Sequence, residues 1–387
     1  MEKLIYLDNG ATSFPKPEAV YDFMDTFYRN NGVSPGRSGY DLSIETGNIV
    51  EDARKALTTY FNGTDPNRLV FSANSTDAIN LVISGLIGPG DHVITTALEH
   101  NAVLRPLHHM SHYHGVEVDY IPFDENGFVD PAAFVSKFKS NTRLVVVNHG
   151  SNVIGTVQPV KEIGKLCRER GVTFLVDASQ TAGKLAMDIQ EMNIDVIAFT
   201  GHKSLLGPTG IGGLYVGENI NIAHTRAGGT GVKSAQRHHL EEYPYRLEYD
   251  TLNVVGIAGL YAGTQWVMDQ GIEKIHAHEM ALTQQLRDGL GQIKHVKTYC
   301  AQDLKNHIGV LSFNVNDIEA LNIGTLLDGD YNIACRTGLQ CAPMVHEQLG
   351  TDKLHGTVRI GFGPFNTEDH VTQVITAIDE IACFLKK

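Results

Sequence analysis

In the stretch VIAFTGHKSLLGPTGIGGLYV, residues 196–216, an apolar run ends in a His-Lys pair, passes through a Gly/Pro loop and resumes as a second apolar run at Ile211. A lysine at the mouth of a core strand is expensive, because leaving water disfavours its charged form. Between Gly201 and Gly207, Lys203 can be the amine of a Schiff base, whose basicity falls on desolvation. A surface loop whose lysine snorkels to water satisfies the same window.

Other residue sets invite comparable readings. In ANSTDAINLV, Ser75 and Thr76 open a helix, where free N–H groups, the helix dipole and two hydroxyls make a phosphate cradle; a plain N-cap uses the same residue types. FLVDASQ ends a buried strand in Asp177, which needs a donor such as a protonated pyridine nitrogen unless it caps the next helix. Gln180 follows within reach of the same ring's phenolic oxygen. In ALEHNAV, His100 can stack on a flat aromatic group and shuttle protons, or be a hydrogen-bonded core histidine. In IACRTGLQCAPM, Cys341 lies in a loop with Arg336 nearby, and a cation beside a thiol favours the thiolate; Cys335, after an apolar pair, reads as packed and inert. Arg359, in GTVRIGFG, calls for a bidentate carboxylate partner. His108 and His112 share a metal-compatible i, i+4 spacing but have no acidic or cysteine ligand beside them, so no metal site is expected.

These residues share a position rule. RLVFSA, HVITTA, VEVDYIPF, TRLVVVNHG, VTFLVDAS and DVIAFTG are short apolar runs separated by helix-patterned segments such as VQPVKEIGKLCRERG, closed by Gly171. Runs without polar alternation indicate strands buried on both faces, hence an α/β fold with a mainly parallel sheet. Ligands bind such sheets at the carboxyl ends of the strands, which is where Ser75, His100, Asp177 and Lys203 fall. Beyond Leu252 the pattern changes to long helices and then shorter alternating segments, a second, α+β region. The 387 residues carry a formal charge of −13 with no basic stripe, which argues against a nucleic-acid partner. No apolar span of membrane length occurs, MEKLIYLDNGATSF has no signal-peptide pattern, and the five cysteines are irregularly spaced; a cytoplasmic protein without membrane contact is expected.

Taken in order, YLDNGATS, STDAINLV, EHNAV, SNVIGTVQP, VDASQ, TGHKSLLGPTGIGGLYV, RTGLQCAP and VRIGFGPFNT resemble the class V aminotransferase superfamily, and within it the cysteine desulfurases of the selenocysteine lyase-related group. The resemblance implies a fold-type I pyridoxal 5'-phosphate enzyme. Its large cofactor-binding domain would span residues 16–265, and its small α+β domain 1–15 with 266–387. It implies Lys203 as the Schiff-base lysine, and Ser75, Thr76, Thr200 and His202 as phosphate contacts. His100 would stack on the ring, Asp177 hold its nitrogen, and Asn152 and Gln180 touch its oxygen. Asn152 would also face the substrate. Thr251 would reach the neighbouring subunit's cofactor in a homodimer, Arg359 would clamp the substrate carboxylate, and Cys341 would take sulfur from cysteine as a persulfide for an acceptor protein. A selenocysteine lyase, or another family member that does not use Cys341, is the alternative. The chain departs from the family pattern in GVSPGRSGYDLS, which has no histidine, and in Leu339-Gln340 where a His pair is frequent.

Overall fold

The computed structural model describes residues 4–35 and 39–384; residues 36–38, within GVSPGRSGYDLS, and three residues at each end of the chain lie outside them. The first part of the chain runs β1 (Ile5–Tyr6), α1 (Glu18–Asn31), α2 (Asp41–Tyr60), β2 (Leu69–Ser72), α3 (Ser75–Leu86), β3 (His92–Thr96), α4 (Asn101–His114), β4 (Glu117–Ile121), α5 (Pro131–Val135), β5 (Thr142–Asn148), α6 (Val160–Arg170), β6 (Thr173–Asp177), β7 (Val196–Thr200) and β8 (Gly212–Val216). The rest runs α7 (Val254–Gln270), α8 (Ile272–Leu290), β9 (Val296–Thr298), β10 (Val310–Val315), α9 (Ala320–Tyr331), β11 (Ile333–Ala334), β12 (Arg336–Gly338), α10 (Pro343–Leu349), β13 (Thr357–Gly361) and α11 (Glu368–Phe384).

A seven-stranded sheet has the order β2-β8-β7-β6-β5-β3-β4. Strands β4, β3, β5, β6 and β7 are parallel, and β8 is antiparallel to both neighbours, so the expected mainly parallel α/β sheet is present. Strand β5 shows why its apolar run is unbroken: Val145 and Val147 belong to one buried cluster, Leu144 and Val146 to another, one on each face. The register Asn148↔Asp177 brings the ends of β5 and β6 level. At Gly212, opposite Thr200, a Cβ would lie 2.8 Å from the Asn74 Cα, so only glycine lets the start of α3 close against this edge.

The C-terminal segments form a four-stranded antiparallel sheet, β12-β13-β10-β9, while β1 pairs in parallel with β11. Ile5 and Leu7 enter the core made by α8, α9, α11 and the small sheet. The chain then crosses to the large sheet: Thr12 Oγ1 donates to His202 O (3.0 Å) and Ser13 Oγ to Lys203 O (2.8 Å). A second tie is the ion pair Lys184 Nζ–Glu279 Oε2 at 2.6 Å, both side chains almost wholly buried, with Lys184 also donating to Phe362 O (3.1 Å). Among the described residues, no helix is long and apolar enough to cross a membrane.

A buried charge is tolerated only while its partner remains. Lys184→Met is therefore expected to lower unfolding stability by about 3–5 kcal/mol, as for other buried pairs that lose one member. Removing both charges in Lys184→Met with Glu279→Leu should recover most of that loss. Urea unfolding of the three proteins checks it; equal destabilisation by the single and double changes would contradict the account.

Candidate active site

At the carboxyl ends of β2, β3, β5, β6 and β7 a cavity of about 760 Å³ is lined by Ser75, Thr76, His100, Asn152, Asp177, Gln180, Thr200, His202, Lys203, Cys341 and Arg359. These include every site residue expected from sequence except Thr251. Thr251 is exposed and lines a separate groove with Asp77, Arg226 and Tyr249, outside the cavity of its own chain.

Local chemistry explains most of the positions. Asn74 caps α3, its side chain accepting from Asp77 N (3.0 Å), which leaves Ser75 and Thr76 as the first helical residues facing the cavity. His100 caps α4 through Nδ1, which accepts from Ala102 N (3.0 Å). Nδ1 is therefore the unprotonated nitrogen of the neutral ring, and Nε2 carries the proton. Asp177 ends β6 and accepts from Ser179 N (2.9 Å) and Ser179 Oγ (2.5 Å). Asn152 Nδ2 donates to Gln340 O (2.7 Å), and Gln180 Nε2 to Gly10 O (2.8 Å).

Burial sets the electrostatics. The Lys203 amine is depressed to about 8, first by desolvation; Asp177 opposes this and Arg359 adds to it. His100 is held down at about 4 by desolvation and then by Lys203, so its ring is neutral at pH 7. His202 falls to about 4 for the same reasons, with Lys16 contributing. Glu99, one residue before His100 and wholly buried, is raised to about 8 by desolvation although Thr96 and the Asn148 amide donate to it. The two cysteines separate as their sequence context suggests. Cys335 is pushed up to about 12 by burial, whereas Cys341 is exposed at the cavity.

Some contributors carried no legible signal. Arg336 was expected beside Cys341, yet its guanidinium pairs with Asp8 (3.0 Å), whose other oxygen lies 2.6 Å from Arg359. Asp8 stands in YLDNGATS, but nothing in the spacing connects it with Arg359. Gln340 and Cys341 both hold positive φ, 41° and 58°, an uncommon pair for non-glycine residues. Three hydrogen bonds keep this turn: Gln340 Nε2 to Thr357 O (2.8 Å), Asn152 Nδ2 to Gln340 O (2.7 Å) and Asn101 N to Cys341 O (2.7 Å). Gln340 thus helps hold the turn that leaves Cys341 exposed.

Thr200 Oγ1, His202 Nδ1 and Asn152 Oδ1 are buried and have no partner within the protein, although each residue lines the cavity. With the start of α3 they fit a phosphorylated, flat ligand: hydroxyls, an imidazole and helix N–H groups for the phosphate, Asp177 for a protonated ring nitrogen. A desolvated amine and an exposed thiol face the same space.

The family model described as Aminotransferase class-V matches residues 5–374. A probable cysteine desulfurase of Halobacterium salinarum is 36% identical over 388 residues, covering 98% of this chain and 92% of its own length. One from Methanothermobacter thermautotrophicus is 33% identical over 383 residues, covering 98% and 94%. The apo structure of cysteine desulfurase from Thermococcus onnurineus superposes with a TM-score of 0.92 at 32% identity, covering 98% of this chain and 95% of that one.

The depressed Lys203 amine gives a pH test with a defined sign. Its neutral, nucleophilic fraction rises as pH increases through about 8, whereas an ordinary lysine needs about 10.4. Graded-pH acetylation of protein freed of bound ligand, read by peptide mass spectrometry, should show that midpoint at Lys203. Asp177→Asn should move it down and Arg359→Ala up; a midpoint indifferent to both contradicts the assignment.

Proposed function

The chain belongs to the class-V aminotransferase family, and on that premise we propose that it is a pyridoxal 5'-phosphate-dependent cysteine desulfurase, converting L-cysteine to L-alanine with a persulfide on Cys341. The observation that carries this reading is that Lys203, Arg359 and the exposed Cys341 line one cavity. An aminotransfer reaction requires only the first two. Ser75, Thr76, Thr200 and His202 would hold the cofactor's phosphate, Asp177 its pyridine nitrogen, Asn152 and Gln180 its ring oxygen, and His100 would stack on the ring. When bound, the cofactor supplies an electron sink for charge developing at the substrate α-carbon.

The protein's own groups do the rest. Arg359 takes the substrate carboxylate in a charge-assisted contact. Lys203, neutral in an appreciable fraction near pH 8 because it is desolvated, accepts the α-proton. The neutral His100, with Nδ1 committed to Ala102 N, has Nε2 free to exchange protons. The Cys341 thiolate attacks the substrate sulfur: an S–S bond forms, the Cβ–S bond breaks, its electron pair stays with the three-carbon fragment, and protonation yields alanine. Thr251, outside its own cavity, serves the partner's site in a homodimer, and an acceptor protein collects the sulfur in the cytoplasm.

Incubation of the holoenzyme with L-cysteine tests the reading. Alanine with sulfide or persulfide is expected; a keto acid instead would mean transamination, and no turnover would sink the proposal. Cys341→Ser should abolish alanine release while amino-acid binding persists, and Cys335→Ser should keep substantial activity. Sulfur mapped by mass spectrometry to Cys335 would overturn the assignment. Arg359→Ala should weaken amino-acid binding by about tenfold or more, the scale of one hydrogen bond to a charged group, which titration with alanine measures.

A further inference from the structure

We propose that Asp8 is the positioning residue of the carboxylate clamp, fastening Arg359 and Arg336 into one fork that receives the substrate carboxylate. The inference rests on the amino-acid-binding reading above. Asp8 is in neither cofactor nor substrate set, yet it is the one carboxylate paired with the buried Arg359 among the described residues: Oδ1 lies 2.6 Å from Arg359 Nη2 and Oδ2 3.0 Å from Arg336 Nη2. Two guanidinium charges less one carboxylate leave one positive charge, and both arginines line the cavity.

The fork is held on three sides. Arg359 Nη1 donates to Asn152 O (3.0 Å), which fixes the far end of the guanidinium. Its flat face rests on Gly10, where a Cβ would meet the Cζ at 3.1 Å and Nη2 at 3.2 Å. Asp8 supplies the lateral contact and cannot drift, since its segment is bridged to the end of Arg359's own strand: Asn9 N donates to Gly361 O (3.2 Å) and Gly361 N to Leu7 O (2.7 Å). Arg359 Nε is buried and has no partner, a donor left for a ligand. A guanidinium has many rotamers and forms a bidentate contact only in a narrow orientation, so the neighbours that remove its freedom set its affinity for a carboxylate.

The test compares L-alanine with ethylamine, which lacks only the carboxylate, by calorimetric titration of the holoenzyme. Asp8→Asn is expected to weaken alanine binding about tenfold or more, the scale of one charge-assisted contact, and to leave ethylamine unaffected. Asp8→Glu keeps the charge but displaces it and should fall in between; as the milder change it also keeps the measurement possible where the Asn protein is poorly folded. With cysteine, the loss in kcat/KM should be carried mainly by KM. General structural damage would weaken both probes alike and so overturns a positioning role. Wild-type selectivity for alanine that survives unchanged or improves in both variants overturns the Asp8 proposal alone. Failure of wild type to distinguish the two probes would sink the functional reading and this one with it.

Discussion

Desolvation of the Lys203 amine is the constraint around which the site is arranged. A buried ammonium is unfavourable, and the protein relieves it by lowering its basicity while keeping Asp177 near enough to limit the fall. The same low-dielectric surroundings keep His100 and His202 neutral. One physical cause therefore provides a nucleophilic amine, a neutral imidazole beside it and an uncharged imidazole where an anion is expected. Arg359, which lines the same cavity, adds to the depression of Lys203.

Closing such a site requires parts from both ends of the chain. The seven-stranded sheet supplies a floor of strand ends, and the β12–β13 region supplies Arg336, Cys341 and Arg359 from above. The segment after β1 joins the two: Ile5 and Leu7 pack in the C-terminal core, Asp8 meets both arginines, and Thr12 and Ser13 bind the His202-Lys203 backbone. A few residues thus couple the orientation of Arg359 to the position of Lys203. The buried Lys184–Glu279 pair makes a parallel connection behind the site.

The turn at Gln340 and Cys341 shows local strain used for presentation. Consecutive positive φ values at non-glycine residues are unfavourable, and such turns persist where the surroundings over-determine them. Here Thr357, Asn152 and Asn101 each bind the turn, which leaves the thiol exposed while Cys335, six residues earlier, is held in a setting that suppresses its thiolate. Distance along the chain says little about which of two cysteines can react; desolvation separates them.

The sequence alone determined the α/β class, the strand runs and the carboxyl-end location of the chemistry, and all but one of the site residues it pointed to line the cavity. Unbroken apolar runs admit burial on both faces, and in a parallel sheet the residue after each run faces the ligand side. Cys341 and Arg359 stood out by their local context, whereas the family motifs taken in order supplied Asn152 and Thr251. Tertiary structure decided what those side chains touch. Asp8 and Arg359 are 351 residues apart, and no periodicity spans that separation; only the pairing of the N-terminal segment with the end of β13 brings them together. The same holds for the diversion of Arg336 to Asp8 and for Thr251 lying outside its own cavity. Such contacts depend on how whole elements pack, since a salt bridge or a desolvation energy belongs to a three-dimensional environment and not to a residue type.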